Sequence, residues 1–222
     1  MCLTRFTREQ ALFLRSEPHH SFFQFGLHPK GLSAWLALVD APDLEHPEDW
    51  IFFHFVSFYE DRNLDPNPST AECVALVKSL AKNFADPFKS AFEWMPDDTT
   101  SIWYNKMRQW DPSSPDHEWD NHNGRITLAG DAAHPMTYMR GQGLNHAIDD
   151  AGKLCEAIQA CGLERAGFKI ERRKLEIGKY EREMVTRTGE EVRLGEVNAK
   201  MLHDWDKVME SPLFKRGVEK AT

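Results

Sequence analysis

A carboxylate and a glycine-flanked run lie close together in the middle of the chain, and their types suit them to hold a ligand. They are Asp131 and the run Gly141, Gln142, Gly143, Leu144 and Asn145. Glycines just before a helix let a ligand approach the backbone closely, because no Cβ is in the way. The first turn of a helix adds unpaired N–H groups and a partial positive charge, which suit an electron-rich or anionic group. Together with a carboxylate that accepts hydrogen bonds, the set predicts a ligand with hydroxyls and a delocalised ring.

The sequence around these residues is typical of a strand, a loop and a helix. The short apolar run Arg125–Ala129 predicts a strand that places Asp131 at its end. Pro135 and the two glycines predict an extended loop. A helix is predicted from about Leu144 to about Gly162, because apolar residues recur there at helical spacing. Those residues are Ala147, Ile148, Ala151 and Leu154.

This stretch resembles the second flavin motif of the FAD-dependent aromatic-hydroxylase family, the para-hydroxybenzoate hydroxylase type. The resemblance rests on Gly130-Asp131-Ala132-Ala133-His134-Pro135, on Gly141-Gln142-Gly143-Leu144-Asn145 and on Asp149-Asp150-Ala151. It implies that Asp131 binds the ribityl chain of FAD and that the run from Gly141 to Asn145 lies against the pyrimidine end of the isoalloxazine. The chain departs from the family at Tyr138, where the family usually has proline, so a backbone N–H is restored there.

The family's flavoproteins open with a strand and a Gly-x-Gly-x-x-Gly turn that holds the FAD pyrophosphate, and no such turn occurs in this chain. The resemblance therefore covers most of the chain, but only as the C-terminal half of a full-length enzyme, and we expect a truncated or split member. The strand Arg125–Ala129 would be a central parallel strand whose neighbours belong to the other half. Its exposed edges and apolar surface predict a homo-oligomer or a second chain that supplies the missing half.

The remaining segments predict an α/β fold in which an antiparallel sheet with helices precedes the strand, loop and helix described above. Strands are predicted at Ser21–Leu27, Leu32–Val39, Trp50–Tyr59 and Ser101–Trp110, and helices at Arg8–Arg15, at 70–84 and at 87–93. A long helical pattern follows over about 166–209, and its glycines at 178, 189 and 195 predict a break or two consecutive helices. We expect residues 1–111 to form a partial substrate-binding sheet domain. Residues 112–222 are expected to form the C-terminal part of an FAD-binding domain with a helical tail at about 165–210.

The composition limits the classes of partner. The formal net charge is -8, which argues against binding to nucleic acid or to an anionic membrane surface. The chain has no apolar run long enough for a transmembrane helix and no signal-peptide pattern at its start. Its four cysteines form no Cys-x-x-Cys pair, so we expect them reduced and the protein cytoplasmic.

Two other groups of residues in the sequence have side chains that could take part in chemistry. Four histidines cluster in sequence, but their spacing matches no known metal site, so no metal is predicted. They are His117, His122, His134 and His146. Asp149 and Asp150 are neighbours on a predicted helix, where side chains point apart, so we expect a solvated surface rather than a catalytic pair.

The predicted function is that of an FAD-dependent monooxygenase that hydroxylates an aromatic or polyketide-like small molecule, in secondary metabolism or aromatic catabolism. The resemblance implies FAD as cofactor and NAD(P)H as reductant, while no motif identifies a catalytic residue. The flavin carries the chemistry and the protein supplies position and electrostatics. Two alternatives stay open: a non-redox homologue that binds a hydrophobic molecule, as a binding module or a cofactor-free isomerase or cyclase, and a chain that works only with a second one.

Overall fold

The computed structural model describes residues 1–16, 21–59, 65, 67–162 and 170–211 of the chain. The chain divides into two compact units. One contains Met1–Lys106 together with the described residues from 200 onward, and the other is Met107–Ala199. The first unit holds a four-stranded antiparallel sheet with helices, and the second is built of helices and long loops. The predicted α/β class is confirmed.

The sheet of the first unit has the strand order β1-β4-β3-β2. Its strands are β1 (Cys2–Thr4), β2 (Phe23–His28), β3 (Leu32–Asp40) and β4 (Ile51–Phe58). β2 and β3 form the predicted hairpin across a turn in which Gly31 has φ 69°, a conformation that glycine adopts without strain. The sequence pattern misses β1, because three residues are too few to show alternation.

One face of the sheet packs against helices α1 (Arg8–Arg15), α2 (Thr70–Ala81) and α3 (Phe88–Glu93). Alternate strand residues point to this face because side chains in a strand alternate between its two sides. The buried cluster between the sheet and the helices includes Leu32, Ala34, Leu36, Phe52, Leu14, Leu80, Phe84 and Phe88. Each large side chain buried in this way stabilises the fold by about 1.5–3 kcal/mol before entropy is counted.

The first two helices begin as the sequence predicts. The Thr7 hydroxyl accepts a hydrogen bond from the Gln10 N–H, and the Gln10 side chain accepts one from the Thr7 N–H. Ser69 and Glu72 form the same reciprocal pair at the start of α2. A cap of this kind stabilises a helix by about 1 kcal/mol and fixes where it begins.

The second unit is organised by two helices, α4 (Gly143–Cys161) and α5 (Ile170–Leu202). A cluster of buried side chains lies among them: Ala133, Ala157, Ile177, Tyr180 and Met184. The predicted break at the glycines is wrong, and a separate short helix, α6 (Trp205–Glu210), follows α5 with Asp204 as its N-cap. Helix α5 runs unbroken through all three glycines. The part of the predicted helix at 166–169 lies outside the described residues.

Two predicted strands are wrong. Arg125–Ala129 is turn and irregular backbone and pairs with no strand among the described residues. Side chains of α5 bind this segment instead: the Tyr180 hydroxyl donates to the Leu128 carbonyl at 2.8 Å, and Thr127 Oγ1 donates to Glu181 at 2.8 Å. Ser101–Trp110 is irregular except for a single bridge between Ile102 and Cys2. A short apolar run forms a strand only where a neighbouring strand provides hydrogen-bond partners for its backbone N–H and C=O groups.

Candidate flavin site

Asp131 lies in a short 3-10 turn, Gly130–Ala132, that follows the extended residue Ala129. Gly130 has φ 58°, and a Cβ added to it would lie 3.4 Å from the Ala147 Cβ, so the turn packs closely on α4. The Asp131 side chain is exposed, while the backbone of Gly130 is buried. The turn is therefore packed against α4 and leaves the Asp131 carboxylate exposed to solvent.

The glycine-flanked run forms the entry to α4. Gly141 has φ 64° and a Cβ there would meet nothing within 4 Å, so the backbone is open to an approaching group. α4 begins at Gly143, and no side chain in the described part of the chain caps it. Asn145 Nδ2 donates to Gln142 Oε1 at 3.1 Å, and Leu144 is 72% exposed. The helix start thus keeps the unpaired N–H groups and positive dipole end that the sequence predicts.

Asp150 is the buried centre of the site, and the prediction that it is solvated is wrong. Its carboxylate is fully buried and accepts from the Gly130 N–H at 2.8 Å, from His134 Nε2 at 2.6 Å and from Arg187 Nη2 at 2.7 Å. Burial by itself raises the pKa of Asp150, but these hydrogen bonds outweigh it and lower the pKa below its ordinary value. Asp149 next to it is exposed, so the helix turns one carboxylate inward and one outward.

His134 is fully buried. Since the Asp150 carboxylate can only accept, His134 donates through Nε2–H, and its Nδ1 has no partner among the described residues. His146 Nδ1 accepts from Arg187 Nη1 at 2.7 Å. Both histidines are therefore engaged in a hydrogen-bonded cluster of protein groups, which we call the Asp150 cluster: Gly130, His134, His146, Asp150, Glu183 and Arg187.

Helix α5 also holds the loop between the two predicted flavin segments. Arg140 forms an ion pair with Glu191, with Nε and Oε1 2.5 Å apart. A Cβ added to Gly195 would lie 3.1 Å from Thr137 Oγ1, so the loop lies directly on the helix at that point. Tyr138 stands where the family usually has proline, and it begins a 3-10 turn. Its backbone carbonyl accepts a hydrogen bond from the Gly141 N–H at 2.9 Å. The loop conformation is thus formed without proline.

In the first unit, the sheet face opposite the helices carries five aromatic residues, which we call the aromatic face: Phe23, Phe25, Trp35, Phe53 and Phe55. The Trp35 ring is stacked on Phe23 with centroids 5.0 Å apart and on Phe55 with centroids 6.1 Å apart. Phe23 is 59% exposed. At the same face, Ser57 Oγ lies 2.6 Å from Ser33 Oγ and 2.9 Å from His203 Nε2, which adds a polar margin.

The residues of the second unit fit the flavin that the motif implies. The exposed carboxylate of Asp131 suits the hydroxyl groups of the ribityl chain. The uncapped start of α4, beside the open backbone of Gly141, suits the electron-rich edge of a ring. The six site residues predicted from the sequence lie in two segments of the second unit. Asp131 is in the 3-10 turn, and the run from Gly141 to Asn145 forms the entry to α4. The buried partners Asp150 and Arg187 were not predicted. Asp150 belongs to the motif segment Asp149-Asp150-Ala151, but a sequence does not show that Arg187, 37 residues later, lies beside it.

The chain matches a known family of FAD-binding proteins. The family model described as FAD binding domain matches residues 55–170, which is just over half of the chain. The FAD-dependent monooxygenase phnB of Penicillium herquei is 40% identical to this chain over 94% of the chain and 48% of its own length. The FAD-dependent monooxygenase cctM of Talaromyces islandicus is 33% identical over 90% of the chain and 47% of its own length.

The chain belongs to the FAD-binding domain family that includes these FAD-dependent monooxygenases. It spans about half the length of the curated relatives that it matches. A shorter match, 54% identical over 18% of the chain and 10% of the relative, is to a 3-amino-4-hydroxybenzoate 2-monooxygenase of Streptomyces platensis. Within the described residues, none of the helices has the length and apolar character needed to span a membrane.

Proposed function

We propose that this chain acts in an FAD-dependent monooxygenase that hydroxylates an aromatic or polyketide-like small molecule. The observation that carries the proposal is the pairing of an exposed Asp131 with the uncapped start of α4, inside the segment that the family model matches. The names of the relatives support the reaction class.

The two flavin segments have separate roles in this proposal. Asp131 accepts hydrogen bonds from the ribityl hydroxyls of FAD. The residues from Gly141 to Asn145 offer backbone N–H groups and the positive end of the α4 dipole to the pyrimidine edge, where they stabilise negative charge on the ring. Leu144 is exposed enough to contact the ring directly.

FAD, when bound, supplies the redox chemistry of the reaction. The overall balance takes NAD(P)H, a proton, O₂ and an aromatic C–H, and yields NAD(P)⁺, water and the corresponding hydroxylated product. The protein's own part is to bind and orient the two ligands and to exclude water from them. We propose NAD(P)H as reductant and the cytoplasm as location, where that reductant is available and the four free cysteines stay reduced.

The aromatic face is the proposed substrate surface. Its stacked rings suit a flat, apolar molecule, because offset and edge-on ring contacts are favourable. The serine pair and His203 at its margin suit a substrate hydroxyl or carboxylate. The aromatic acid named for one relative supports this substrate class.

A second copy or a second chain is a further part of the proposal. Ile126 and Ile148 are exposed, 53% and 62%, although the sequence around them is that of a packed flavin domain. We propose that this surface is covered either by a second copy of this chain or by a second chain that carries the Gly-x-Gly-x-x-Gly turn. Light scattering of the purified chain, alone and with candidate partner chains, tests this, and a chain that stays monomeric in every case would contradict it.

The activity is tested by product formation with labelled oxygen. The purified chain is supplied with FAD, NADPH, ¹⁸O₂ and a panel of phenolic acids and polyketide-like phenols, and products are analysed by mass spectrometry. A product that gains one ¹⁸O atom, with NADPH consumed in equal amount, is the expected result. Conversion of a substrate without NADPH or oxygen would instead favour the cofactor-free isomerase or cyclase.

A further inference from the structure

One guanidinium on α5 is joined to both predicted flavin segments. Arg187 Nη1 donates to His146, the residue directly after Asn145, at 2.7 Å. Arg187 Nη2 donates to Asp150 at 2.7 Å, and the other oxygen of Asp150 binds the Gly130 N–H beside Asp131. Two side chains, Arg187 and Asp150, therefore link the first turn of α4 to the turn that presents Asp131. Neither residue belongs to those two turns.

We infer that Asp150 and Arg187 are positioning residues, which hold the Asp131 turn at a fixed place relative to the first turn of α4. The inference rests on the proposed function, since it concerns the same flavin segments. It adds two residues that touch no ligand and act through Gly130 and His146.

The orientation of the guanidinium is itself restricted. Glu183, one turn earlier on α5, accepts from Arg187 Nε at 3.0 Å and from Nη2 at 3.3 Å. A planar guanidinium held on its Nε side keeps its other donors in fixed directions, which a lysine ammonium does not. The carboxylate of Asp150 is completed by the buried His134 ring. The Asp150 carboxylate and the Arg187 guanidinium are thus each held by more than one partner.

The Gly130 N–H is the contact through which Asp150 acts on the ligand. Gly130 has φ 58°, a conformation in which the peptide must be held by its partners because glycine rotates readily. If the carboxylate is lost, this peptide can turn, and the exposed Asp131 next to it moves by the same rotation. A displacement of about 1 Å of a binding group costs up to about a hundredfold in function.

The test uses variants of the complete chain. Arg187→Met removes both links, and Asp150→Asn keeps the shape but removes the charge and one acceptor. The double variant combines both changes, so that no buried charge is left without its partner and stability is regained. Arg182→Met is the matched control, because Arg182 is an exposed arginine on the same helix.

The first readout is amide hydrogen exchange without FAD, at the hydrogen-bonded amides of residues 130, 133, 134 and 146. We expect both segments to exchange about tenfold faster or more in Arg187→Met and in the double variant, with no change in strands β3 and β4. Arg182→Met should match the unaltered chain. Unchanged exchange in both segments of the two variants would overturn the inference, whatever happens to the melting temperature.

The second readout is FAD affinity, compared with stability. The double variant should regain stability over the single variants yet bind FAD about tenfold to a hundredfold more weakly than the unaltered chain. Recovery of affinity in step with stability would mean a merely structural role and would overturn the inference. If the unaltered chain binds no FAD, the proposed function fails, and the exchange experiment still decides whether the two residues hold these segments.

Discussion

Gly189 of α5 faces Ser113 so closely that a Cβ placed on the glycine would lie 2.7 Å from the serine Oγ and 2.8 Å from Asp111 Oδ1. Ser113 Oγ and Asp111 are bound to each other at 2.6 Å, and both accept from Arg193 at 2.7 Å. A glycine that weakens the helix by about 1 kcal/mol is therefore needed for a loop to lie against it. This relationship explains why α5 continues through a residue that the sequence marks as a possible break.

Gly189→Ala should destabilise the second unit, because the added methyl displaces a hydrogen-bonded loop rather than a free side chain. We expect a loss of about 1–3 kcal/mol in the free energy of unfolding, measured by urea titration. Gly178→Ala on the same helix is the control. Its Cβ would meet only the flexible end of Arg182, at 3.3 Å, so alanine should stabilise there by up to about 1 kcal/mol. Equal effects at both positions would contradict this account of the packing.

A buried histidine makes the first unit sensitive to acid. His54 lies fully buried in β4, 2.9 Å from Thr4 Oγ1, and burial lowers its pKa to about 3 from an ordinary value of 6.5. Between these values the unfolded chain binds a proton that the folded chain excludes. The contribution of His54 to the free energy of unfolding is therefore complete above the pKa that this histidine has in the unfolded chain. It is lost as the pH falls from there towards the pKa in the folded chain.

His54→Gln keeps a hydrogen-bonding side chain without the titration. The unaltered chain should lose up to about 1.4 kcal/mol per pH unit more than this variant as the pH falls from 6.5 towards 4. Urea midpoints at several pH values measure the difference. Parallel pH dependence in the two proteins would show that His54 does not contribute in this way.

Trp35 should be the residue of the aromatic face that matters most for ligand binding, because it stacks on two neighbours. Trp35→Leu removes the ring on which a flat ligand would stack, together with its contacts to Phe23, Phe25 and Phe55, and should weaken binding of a phenolic ligand about tenfold. Trp35→Phe keeps an aromatic ring and should bind nearly as well as the unaltered chain. Equilibrium dialysis gives both affinities, and equal losses in the two variants would argue against a stacking role.

Local signals in the sequence were sufficient for much of the fold. The capping pairs that begin α1 and α2, the hairpin of β2 and β3 and the start of α4 all depend on residues close together in the chain. The exposed Asp131 and the open Gly141 are likewise features of a short motif. Such features are predictable because their physical cause lies within a few residues.

What could not be predicted depends on partners far away in the chain. Arg125–Ala129 looks like a strand, but Tyr180 and Glu181 provide its hydrogen bonds. Asp150 looks like a solvated helix residue until Arg187, on another helix, is placed beside it. A sequence displays the polar groups but not which of them will be buried together, and the burial decides their roles.

We propose above all that this chain holds FAD through Asp131 and the start of α4. The most direct measurement is a flavin titration followed by fluorescence and the visible spectrum, with Asp131→Ala as the test variant. Asp116→Ala is the control, since Asp116 is also an exposed carboxylate of the second unit.

We expect saturable binding in the micromolar range, at least about tenfold weaker in Asp131→Ala and unchanged in Asp116→Ala. Binding that is equally tight in all three proteins would contradict the assignment of the site. No binding up to millimolar FAD would contradict the claim that this chain by itself holds the cofactor.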